Sequence, residues 1–270
     1  MLPGWSTLSR AERDAAYNNN AAVADSAALI DRRNAQSAVF RAAHPGALDV
    51  PYGPGRRQRF DLYPARTPEA PCLVFIHGGY WQRNTREDFA CYAEGVMAHG
   101  WSAALPGYTL APELTLAKIV GEVSSALDWL ATEGPRRGLA RGVIVVSGWS
   151  AGAHLAAMAL GHPAIAAGLA ISGVFDLTPL RETYLDEKLR LTDGEISAMS
   201  PLRLPAVVKP LTVSYGTAEL PALVKDSCDL HEHRSAAHAP GPLIPILGAE
   251  ELRRPDGRLV RAALEATMMG

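Results

Sequence analysis

The chain has 270 residues, of which 48% are hydrophobic and 20% are charged, so it suits one large α/β domain or two small domains and is too apolar to be disordered. Its 26 basic and 28 acidic side chains give a net charge of −2, which excludes the basic surface of a nucleic-acid-binding protein. No apolar run approaches the roughly 18 residues of a membrane helix, and the N-terminal segment lacks the cationic and apolar stretches of a secretory signal. We therefore expect a cytoplasmic protein with neither nucleic-acid nor membrane partners.

The first 45 residues are predicted to be helical. Ser9 and Glu12 have the spacing of a capping box, in which each side chain accepts a hydrogen bond from the other residue's backbone N–H, so a helix is expected to begin there. A second helix is expected over 25–43, because a Pro-Gly pair follows it. Such a segment is too short to bury a core of its own, so we interpret 1–45 as an extension of a main domain over 46–270.

Beyond the extension, short apolar runs alternate with longer amphipathic ones. Strands are predicted at 58–62, 72–76, 102–105, 143–147, 168–171, 211–214 and 243–247. Helices are predicted at 85–99, 114–132, 151–160 and 221–237. This alternation indicates an α/β fold with a mostly parallel sheet that is covered by helices on both faces. The charged segment 176–210 breaks the alternation and is predicted to form a small lid insertion above the sheet.

The segment GWSAG at 148–152 is a G-x-S-x-G motif between a predicted strand and a predicted helix. A tight strand-to-helix turn holds such a serine in a strained conformation with its hydroxyl exposed, and the glycines permit close approach of backbones. Ser150 is therefore the candidate nucleophile. A chance match in a chain rich in Gly and Ala is the alternative, which the position of the motif disfavours.

The segment HGGYW at 77–81 follows the predicted strand 72–76. Such a turn points backbone N–H groups at the carbonyl oxygen of a substrate, and the residue after the nucleophile supplies another N–H. Gly79, Tyr80 and Ala151 are therefore the candidate oxyanion-hole residues. His77 is interpreted as a brace of this loop rather than as a base. Taken alone, the segment would be interpreted as a plain strand-exit turn.

These motifs resemble those of the α/β-hydrolase superfamily. HGGYW, GWSAGAHL and ISGVFDLTPL are similar to the kynurenine formamidase-like (arylformamidase) branch, next to the hormone-sensitive-lipase-like esterases, and the resemblance covers most of the chain from about residue 58. It implies an α/β-hydrolase fold with an eight-stranded, mostly parallel sheet and a catalytic triad. It also makes Tyr80, Trp81 and Trp149 candidate substrate-binding residues, with ordinary packing beneath the lid as the alternative for the first two.

The resemblance places the triad acid after the strand predicted at 211–214, shortly before a proline. Glu219 matches this position and can orient an imidazole and stabilise its charged form. Asp226 and Asp229 lie further along the next helix and rank below it. The alternative for Glu219 is a helix N-terminal acid that complements the helix dipole.

The base departs from the family pattern. The resemblance implies a histidine after the strand predicted at 243–247, but none of the eight histidines lies beyond His238, and the three on the preceding helix fit a solvated face. Three explanations stay open: residues that carry the base are missing from the sequence between Ala249 and Glu250, the loop was deleted by design, or the protein is a catalytically inactive binding protein with a hydrolase fold. We favour the first, because an inactive protein has little reason to keep a strained turn at its serine.

The sequence thus predicts a serine hydrolase that cleaves a small carboxylic ester or an N-formyl or N-acyl aryl amide through an acyl-enzyme intermediate. The expected partner is that small-molecule substrate, and the oligomeric state is open, with a homodimer as one option. No cofactor and no metal are implied, because no ligand cluster has suitable spacing. Cys72, Cys91 and Cys228 are widely spaced and are expected to be reduced thiols.

Overall fold

The computed structural model describes residues 2–45, 47–247 and 249–267. The strands in these ranges are β1 (Ala47–Pro51), β2 (Arg59–Tyr63), β3 (Cys72–Ile76), β4 (Ser102–Pro106), β5 (Ile144–Trp149), β6 (Ala167–Ile171), β7 (Leu211–Gly216) and β8 (Leu243–Ile246). The α-helices are α1 (Arg10–Ala15), α2 (Asn19–Ala22), α3 (Ser26–Ala43), α4 (Glu94–Ala98), α5 (Leu116–Glu133), α6 (Ala151–Ala159), α7 (Asp186–Leu189), α8 (Asp193–Met199), α9 (Pro221–Ala236) and α10 (Arg258–Ala266). Short 3₁₀ helices lie at Trp5–Thr7, Glu87–Ala93, Gly134–Arg137, Thr178–Glu182, Pro201–Arg203 and Ala249–Leu252.

The described strands form one sheet in the order β1-β2-β4-β3-β5-β6-β7-β8. Strand β2 is antiparallel to both of its neighbours, and every pair from β4 to β8 is parallel. After β3, the chain adds β4 on one side of this strand and then β5 on its other side, so the order of strand addition reverses at β3. In open parallel sheets, ligands bind beyond the carboxyl ends of the strands at such a switch point. The predicted α/β-hydrolase fold is confirmed, and its topology brings the ends of β3 and β5 together.

Apolar side chains cover both faces of the sheet. Ile76 and Val146 lie in one core cluster, whereas Phe75 and Val145 lie in the other. Successive side chains of a strand alternate between faces, so a strand buried on both sides reads as a continuous apolar run. All five residues of β3 are buried for this reason.

The N-terminal extension packs on the rest of the chain. The capping box of Ser9 and Glu12 is present, as predicted. Trp5 and Tyr17 are buried in the same core cluster as Ile76. Phe40 of α3 lies in the opposite cluster, with its ring centroid 5.0 Å from that of Tyr63. The extension therefore contributes to both cores.

Two local features differ from the prediction. Strand β1 was not predicted, because only Val50 of its five residues is buried and its apolar pattern is correspondingly weak. The helix predicted over 85–99 is a 3₁₀ helix followed by α4. Ser37 of α3 explains part of this geometry, because its hydroxyl donates to Asp88 O at 2.9 Å and accepts from Cys91 N at 3.2 Å. Within the described ranges, no helix is both long enough and apolar enough to cross a bilayer.

Candidate active site

Ser150 lies at the turn between β5 and α6 with φ 57° and ψ −120°. A residue other than glycine rarely adopts a positive φ, so this turn is strained. Its backbone is held by a hydrogen bond from Ser150 N to Ile171 O at 2.8 Å and by one from Ala153 N to Ser150 O at 2.9 Å. The side chain is half-buried and lines a pocket of about 270 Å³, and no described residue pairs with its Oγ. The turn thus presents a free hydroxyl to a pocket.

The glycines that flank Ser150 allow the close approach of α6 to the sheet. A Cβ atom on Gly152 would lie 2.0 Å from Ile76 O, and one on Gly148 would lie 2.2 Å from Gly152 O. Both contacts are to backbone atoms, which cannot move away as a flexible side chain can. The start of α6 is therefore pressed against the end of β3.

Replacing Gly152 by alanine is expected to lower the free energy of unfolding by about 1–3 kcal/mol, because the added methyl group overpacks this contact. Gly121 is the matched control, since it lies exposed in the middle of α5 and a Cβ there meets no atom within 4 Å. Gly121→Ala should stabilise the protein by about 0.5–1 kcal/mol through the better helix propensity of alanine. Urea unfolding followed by circular dichroism measures both. Equal stability of the two variants would contradict the close approach.

The turn after β3 lies directly against Ser150. A Cβ atom on Gly78 would be 3.1 Å from Ser150 Cβ and 2.5 Å from Trp149 O, so only glycine fits there. Gly79 has φ 122°, and a Cβ there would lie 2.4 Å from Arg83 O. This conformation also favours glycine. The two glycines of the motif are thus explained by the contact with Ser150 and by the turn itself.

The predicted oxyanion-hole residues lie at this contact. Gly79 and Tyr80 line the pocket of Ser150, and Ala151 begins α6 immediately after it. Among the described residues, no acceptor is paired with the backbone N–H of any of the three. Free amides of this kind are available to an anionic oxygen.

His77 braces the turn. Its ring stacks on that of Tyr108 with a centroid distance of 4.3 Å, and its Nδ1 lies 3.0 Å from Gly78 O. Tyr108 in turn donates its hydroxyl to His77 O at 2.9 Å. Burial lowers the pKa of His77 to about 3, because charging the ring away from water is costly. A neutral, buried ring that does not line the pocket fits a structural role.

The three aromatic candidates are placed differently. Tyr80 and Trp149 line the pocket, and Tyr80 donates its hydroxyl to Tyr17 O at 2.8 Å. Trp81 is fully buried beside His154, with ring centroids 4.9 Å apart, and is absent from the pocket lining. The expectation that Trp81 lines the pocket is therefore wrong. The chain has positive φ at both Tyr80 and Trp81, and this turn places the indole against α6 instead.

Glu219 follows β7 and lines the same pocket as Ser150. Its Oε1 accepts a hydrogen bond from Ser172 Oγ, and its Oε2 is buried without a partner among the described residues. Burial raises the pKa of Glu219 above its usual range, because the charged form loses hydration. A carboxylate with one oxygen unsatisfied is prepared to accept a further N–H or O–H donor.

The two other acids have structural partners. Asp226 is buried and accepts from Phe175 N at 2.8 Å, so it fixes the loop after β6, and burial raises its pKa to about 7. Asp229 pairs with Lys225 at 2.7 Å within α9. Neither aspartate lines the pocket of Ser150. Of the three candidate acids, only Glu219 does.

A second cavity of about 180 Å³ adjoins the first. The two cavities share four residues, which are Trp149, Ser172, Ala218 and Glu219. Its other walls are largely apolar and include the residues around the end of β8, among them Ile246, Leu247 and Leu252. Glu219 therefore lies between the serine and the region where the resemblance places the base.

No histidine lines either cavity, although all eight lie in the described ranges. His154 is buried with its Nε2 2.6 Å from Met199 O, and His233 contacts Leu204 O at 2.9 Å. His162 lies beside Asp128 at 3.2 Å. The structure brings together the serine, the turn and the acid, but none of these histidines joins them.

One wall of the pocket comes from the N-terminal extension. It is formed by Asn19, Asn20, Ala22, Val23, Ile30 and Arg33. No residue of the predicted lid, 176–210, lines this pocket. That segment instead packs against α1, α5, α6 and α9. The lid insertion over 176–210 stays a prediction, and its residues contribute no wall to the pocket of Ser150. Sequence reasoning also missed Ser172, although it directly follows β6 in the motif ISGVFDLTPL.

Comparison with known proteins agrees with the fold and the motifs. The BD-FAE family model matches residues 60–166. A candidate thioesterase from Silicibacter sp. TM1040, of known crystal structure, is 31% identical with a TM-score of 0.84, over 93% of this chain and 98% of that one. Kynurenine formamidase of Danio rerio is 28% identical over 207 residues, which are 70% of this chain and 69% of the relative. That of Salmo salar is 32% identical over 173 residues, which are 60% and 57% of the two chains.

The sheet order, the strained serine turn and the adjoining glycine turn define an α/β-hydrolase, and the chain is a hydrolase of this type. Within the superfamily, the chain is similar to the kynurenine formamidases of these two relatives.

Proposed function

We propose that the protein is a serine hydrolase that cleaves a small carboxylic ester or an N-formyl or N-acyl aryl amide through an acyl-enzyme intermediate. The observation that carries the proposal is the position of Ser150, on a strained turn and in contact with a second turn whose amides are free. Strain at a serine that faces a pocket, rather than the core, is characteristic of functional sites. The similarity to kynurenine formamidases supports the choice of substrates.

In the proposed reaction, Ser150 Oγ attacks the substrate carbonyl and its proton passes to a base. The amides of Gly79, Tyr80 and Ala151 stabilise the oxyanion of the tetrahedral intermediate, which is usually the largest catalytic contribution. The leaving alcohol or amine then departs with the proton from the base. Water attacks the resulting acyl-enzyme and releases the acid together with the free serine.

The base in this proposal is a histidine in residues that are missing from the sequence between Ala249 and Glu250. The free Oε2 of Glu219 supports this placement, because an imidazole N–H is a suitable donor to it. The adjoining cavity of about 180 Å³ is several times the ~30 Å³ that one water molecule occupies in the liquid. Glu219 would orient the ring and stabilise its charged form, as the acid of a triad does.

The turnover of an ester and of an N-formyl aryl amide tests the proposal. We expect kcat/KM values above background for 4-nitrophenyl acetate and for N-formylkynurenine, with covalent labelling of Ser150 by a fluorophosphonate, located by mass spectrometry. A clear preference for the ester would assign the protein to the carboxylesterases rather than to the formamidases. Hydrolysis with no label on Ser150 would overturn the assigned nucleophile.

The second candidate function is a binding protein with a hydrolase fold. It is favoured by one observation, namely that none of the eight histidines lines the pocket. The intact mass of the natural protein separates the two candidates. A mass equal to the 28.8 kDa of these 270 residues favours the binding protein, whereas a larger mass favours a hydrolase with additional loop residues.

A further inference from the structure

Arg57 connects two segments that adjoin the serine site, although it does not line the pocket of Ser150. Its Nε donates to Tyr108 O at 2.8 Å, and its Nη2 donates to Asn84 O. Tyr108 follows β4, and Asn84 belongs to the turn after β3. The planar guanidinium presents its N–H groups in a fixed fork, so it sets the spacing of these two carbonyls.

The backbone around Arg57 is held by its neighbours in the sheet. Arg57 lies shortly before β2, and Gly107 N, directly after β4, donates to Arg59 O at 2.8 Å. A Cβ atom on Gly107 would lie 2.6 Å from Arg57 O, so the two segments are in close contact. Tyr52, from the same connection between β1 and β2, donates its hydroxyl to Gly107 O at 2.6 Å. The side chain of Arg57 therefore begins at a well-fixed point of the backbone.

Asn84 holds the turn that carries two of the candidate oxyanion-hole amides. Its Nδ2 donates to Gly78 O at 3.1 Å, and its backbone has φ 70°. Asparagine tolerates this left-handed conformation better than most residues. The turn is also closed by its own backbone, because Gly79 O accepts from Gln82 N at 3.0 Å and from Arg83 N at 3.2 Å. Asn84 thus ties the end of the turn to its beginning.

The hydrogen bond from Asn84 to Gly78 O sets the direction of a candidate oxyanion donor. The carbonyl of Gly78 and the N–H of Gly79 belong to one planar peptide group and point in opposite directions. Gly78 O also lies 3.0 Å from His77 Nδ1. Two contacts on this oxygen fix the rotation of the peptide group, so the direction of the Gly79 N–H is fixed as well.

Tyr108 supports the preceding peptide group in the same way. Its hydroxyl donates to His77 O at 2.9 Å, and its ring stacks on that of His77. Since Arg57 also holds Tyr108 O, one guanidinium supports both residues that contact the turn. Its loss would release two supports at once and leave no carboxylate unpaired, because Arg57 has no ion-pair partner in the described ranges.

We infer that Arg57 is a positioning residue of the oxyanion hole, and that it acts by holding the turn after β3 through Asn84 and Tyr108. This inference rests on the proposed function, because the turn stabilises an oxyanion only in a serine hydrolase. Oxyanion donors must already point at the place that the anionic oxygen will occupy, about 2.7–3.1 Å away, so a small rotation of the peptide group weakens them. Arg57 thereby affects the reaction rate without lining the pocket.

Kinetics of the natural protein, with the residues that carry the base present, test the catalytic part of the inference. Arg57→Gln should lower kcat for phenyl acetate by about tenfold or more and leave KM within about twofold, because the oxyanion forms only in the transition state. Loss of a whole oxyanion donor costs about 10²–10³-fold, which is the upper limit for a misdirected one.

Two ketones separate this role from a general effect on the pocket. A serine hydroxyl adds to trifluoroacetophenone to give an anionic tetrahedral adduct, so inhibition by this ketone should weaken in Arg57→Gln by about the same factor as kcat. Acetophenone, which remains a neutral ketone, should bind the variant and the parent protein equally.

Three further variants complete the kinetic test. Arg57→Lys keeps the charge but lacks the fork that spans two carbonyls, so it should recover only part of kcat. Asn84→Gly keeps the positive φ and removes the donor to Gly78 O, so it should also lower kcat. Arg56→Gln is the matched control, because Arg56 is the exposed neighbour that lines the same cavity as Arg57, and it should change neither constant.

Hydrogen exchange of the Gln82 and Arg83 amides, followed by NMR, tests the positioning of the turn without turnover, since both amides donate to Gly79 O. Their exchange should be about tenfold or more faster in Arg57→Gln than in the parent, which is the effect of losing about one charged hydrogen bond, and unchanged in Arg56→Gln. Unchanged kcat or unchanged exchange in Arg57→Gln, equal weakening of both ketones, or an equal effect of Arg56→Gln would overturn the inference. A parent protein that hydrolyses neither ester nor amide would instead reject the proposed function, and the exchange rates alone would then decide whether Arg57 holds the turn.

Discussion

In the natural protein, with the residues that carry the base present, Ser150→Ala is expected to lower the rate of 4-nitrophenyl acetate hydrolysis by at least about 10³-fold and to abolish labelling by fluorophosphonates. The reason is that the hydroxyl supplies the bond-forming atom, so the remaining amides can act only on direct attack by water. Initial rates at saturating ester, together with intact-mass measurement of the labelled protein, provide the readout.

The fold should be unaffected by this substitution, because no described residue hydrogen-bonds to Ser150 Oγ. Alanine retains the strain of the positive φ, so the free energy of unfolding should change by no more than about 0.5 kcal/mol. Ser125→Ala is the matched control, since Ser125 lies on the exposed face of α5 and, among the described residues, its hydroxyl bonds only to Gly121 O. Unchanged hydrolysis by the Ser150 variant, or an equal loss in the Ser125 variant, would reject Ser150 as the nucleophile.

The fold could be predicted where burial repeats over consecutive residues. Strand β3 was predicted with its observed bounds, because all of its residues are buried and a turn signal follows directly. Strand β1 could not be predicted in this way, because an edge strand with one buried residue leaves little apolar pattern in the sequence. The 3₁₀ geometry at Glu87–Ala93 depends in part on Ser37, which lies some fifty residues earlier in the chain, and local periodicity does not report such a contact.

In the candidate site too, local sequence predicts some features, whereas long-range contacts determine others. Ser150 and Gly79 each lie on one tight turn, so a few contiguous residues were enough to predict their neighbourhood. The placement of Trp81 depends on two successive positive φ angles, and these are not evident in the sequence letters. The wall formed by Arg33 depends on how α3 docks on the rest of the chain. Such long-range contacts determine that residues of the extension, and none of 176–210, line the pocket.

Free imidazole is expected to accelerate ester hydrolysis by a protein that has the 270 residues of this sequence. The cavity beside Glu219 offers about 180 Å³ and an unsatisfied carboxylate oxygen, which suits a ring with an N–H donor. A positioned general base raises the rate of a reaction by about 10²–10⁴-fold. Free imidazole, which is not held in position, should raise the rate of ester hydrolysis by about tenfold or more. Phenyl acetate is the appropriate substrate, because imidazole alone attacks activated esters. The rate should saturate with imidazole concentration, whereas 1-methylimidazole, which has no N–H for Glu219, should act only as it does in free solution.

We call the acceleration of ester hydrolysis by added imidazole the rescue. Its pH dependence follows from the ionisation of imidazole and of Glu219. Imidazole acts as a base only when neutral, so the rate should rise with pH through a value near the ~6.5 of a histidine side chain. Burial raises the pKa of Glu219, so the carboxylate that stabilises the imidazolium is lost at a higher pH than for an exposed glutamate. Both effects reduce the rescue on acidification.

The substitution Glu219→Gln tests whether Glu219 stabilises the imidazolium or has only a structural role. The variant should lose most of the rescue, because a neutral carboxamide does not stabilise the charged imidazolium. Since the folded pKa of Glu219 is raised, its ionisation disfavours folding: the favourable contribution is present at acid pH and is lost as the pH rises through the folded pKa. The Gln variant should therefore be at least as stable as the parent protein at pH 8, measured by urea unfolding. Full rescue in this variant would show that imidazole acts without Glu219, and the acid of the site would then have to be assigned elsewhere.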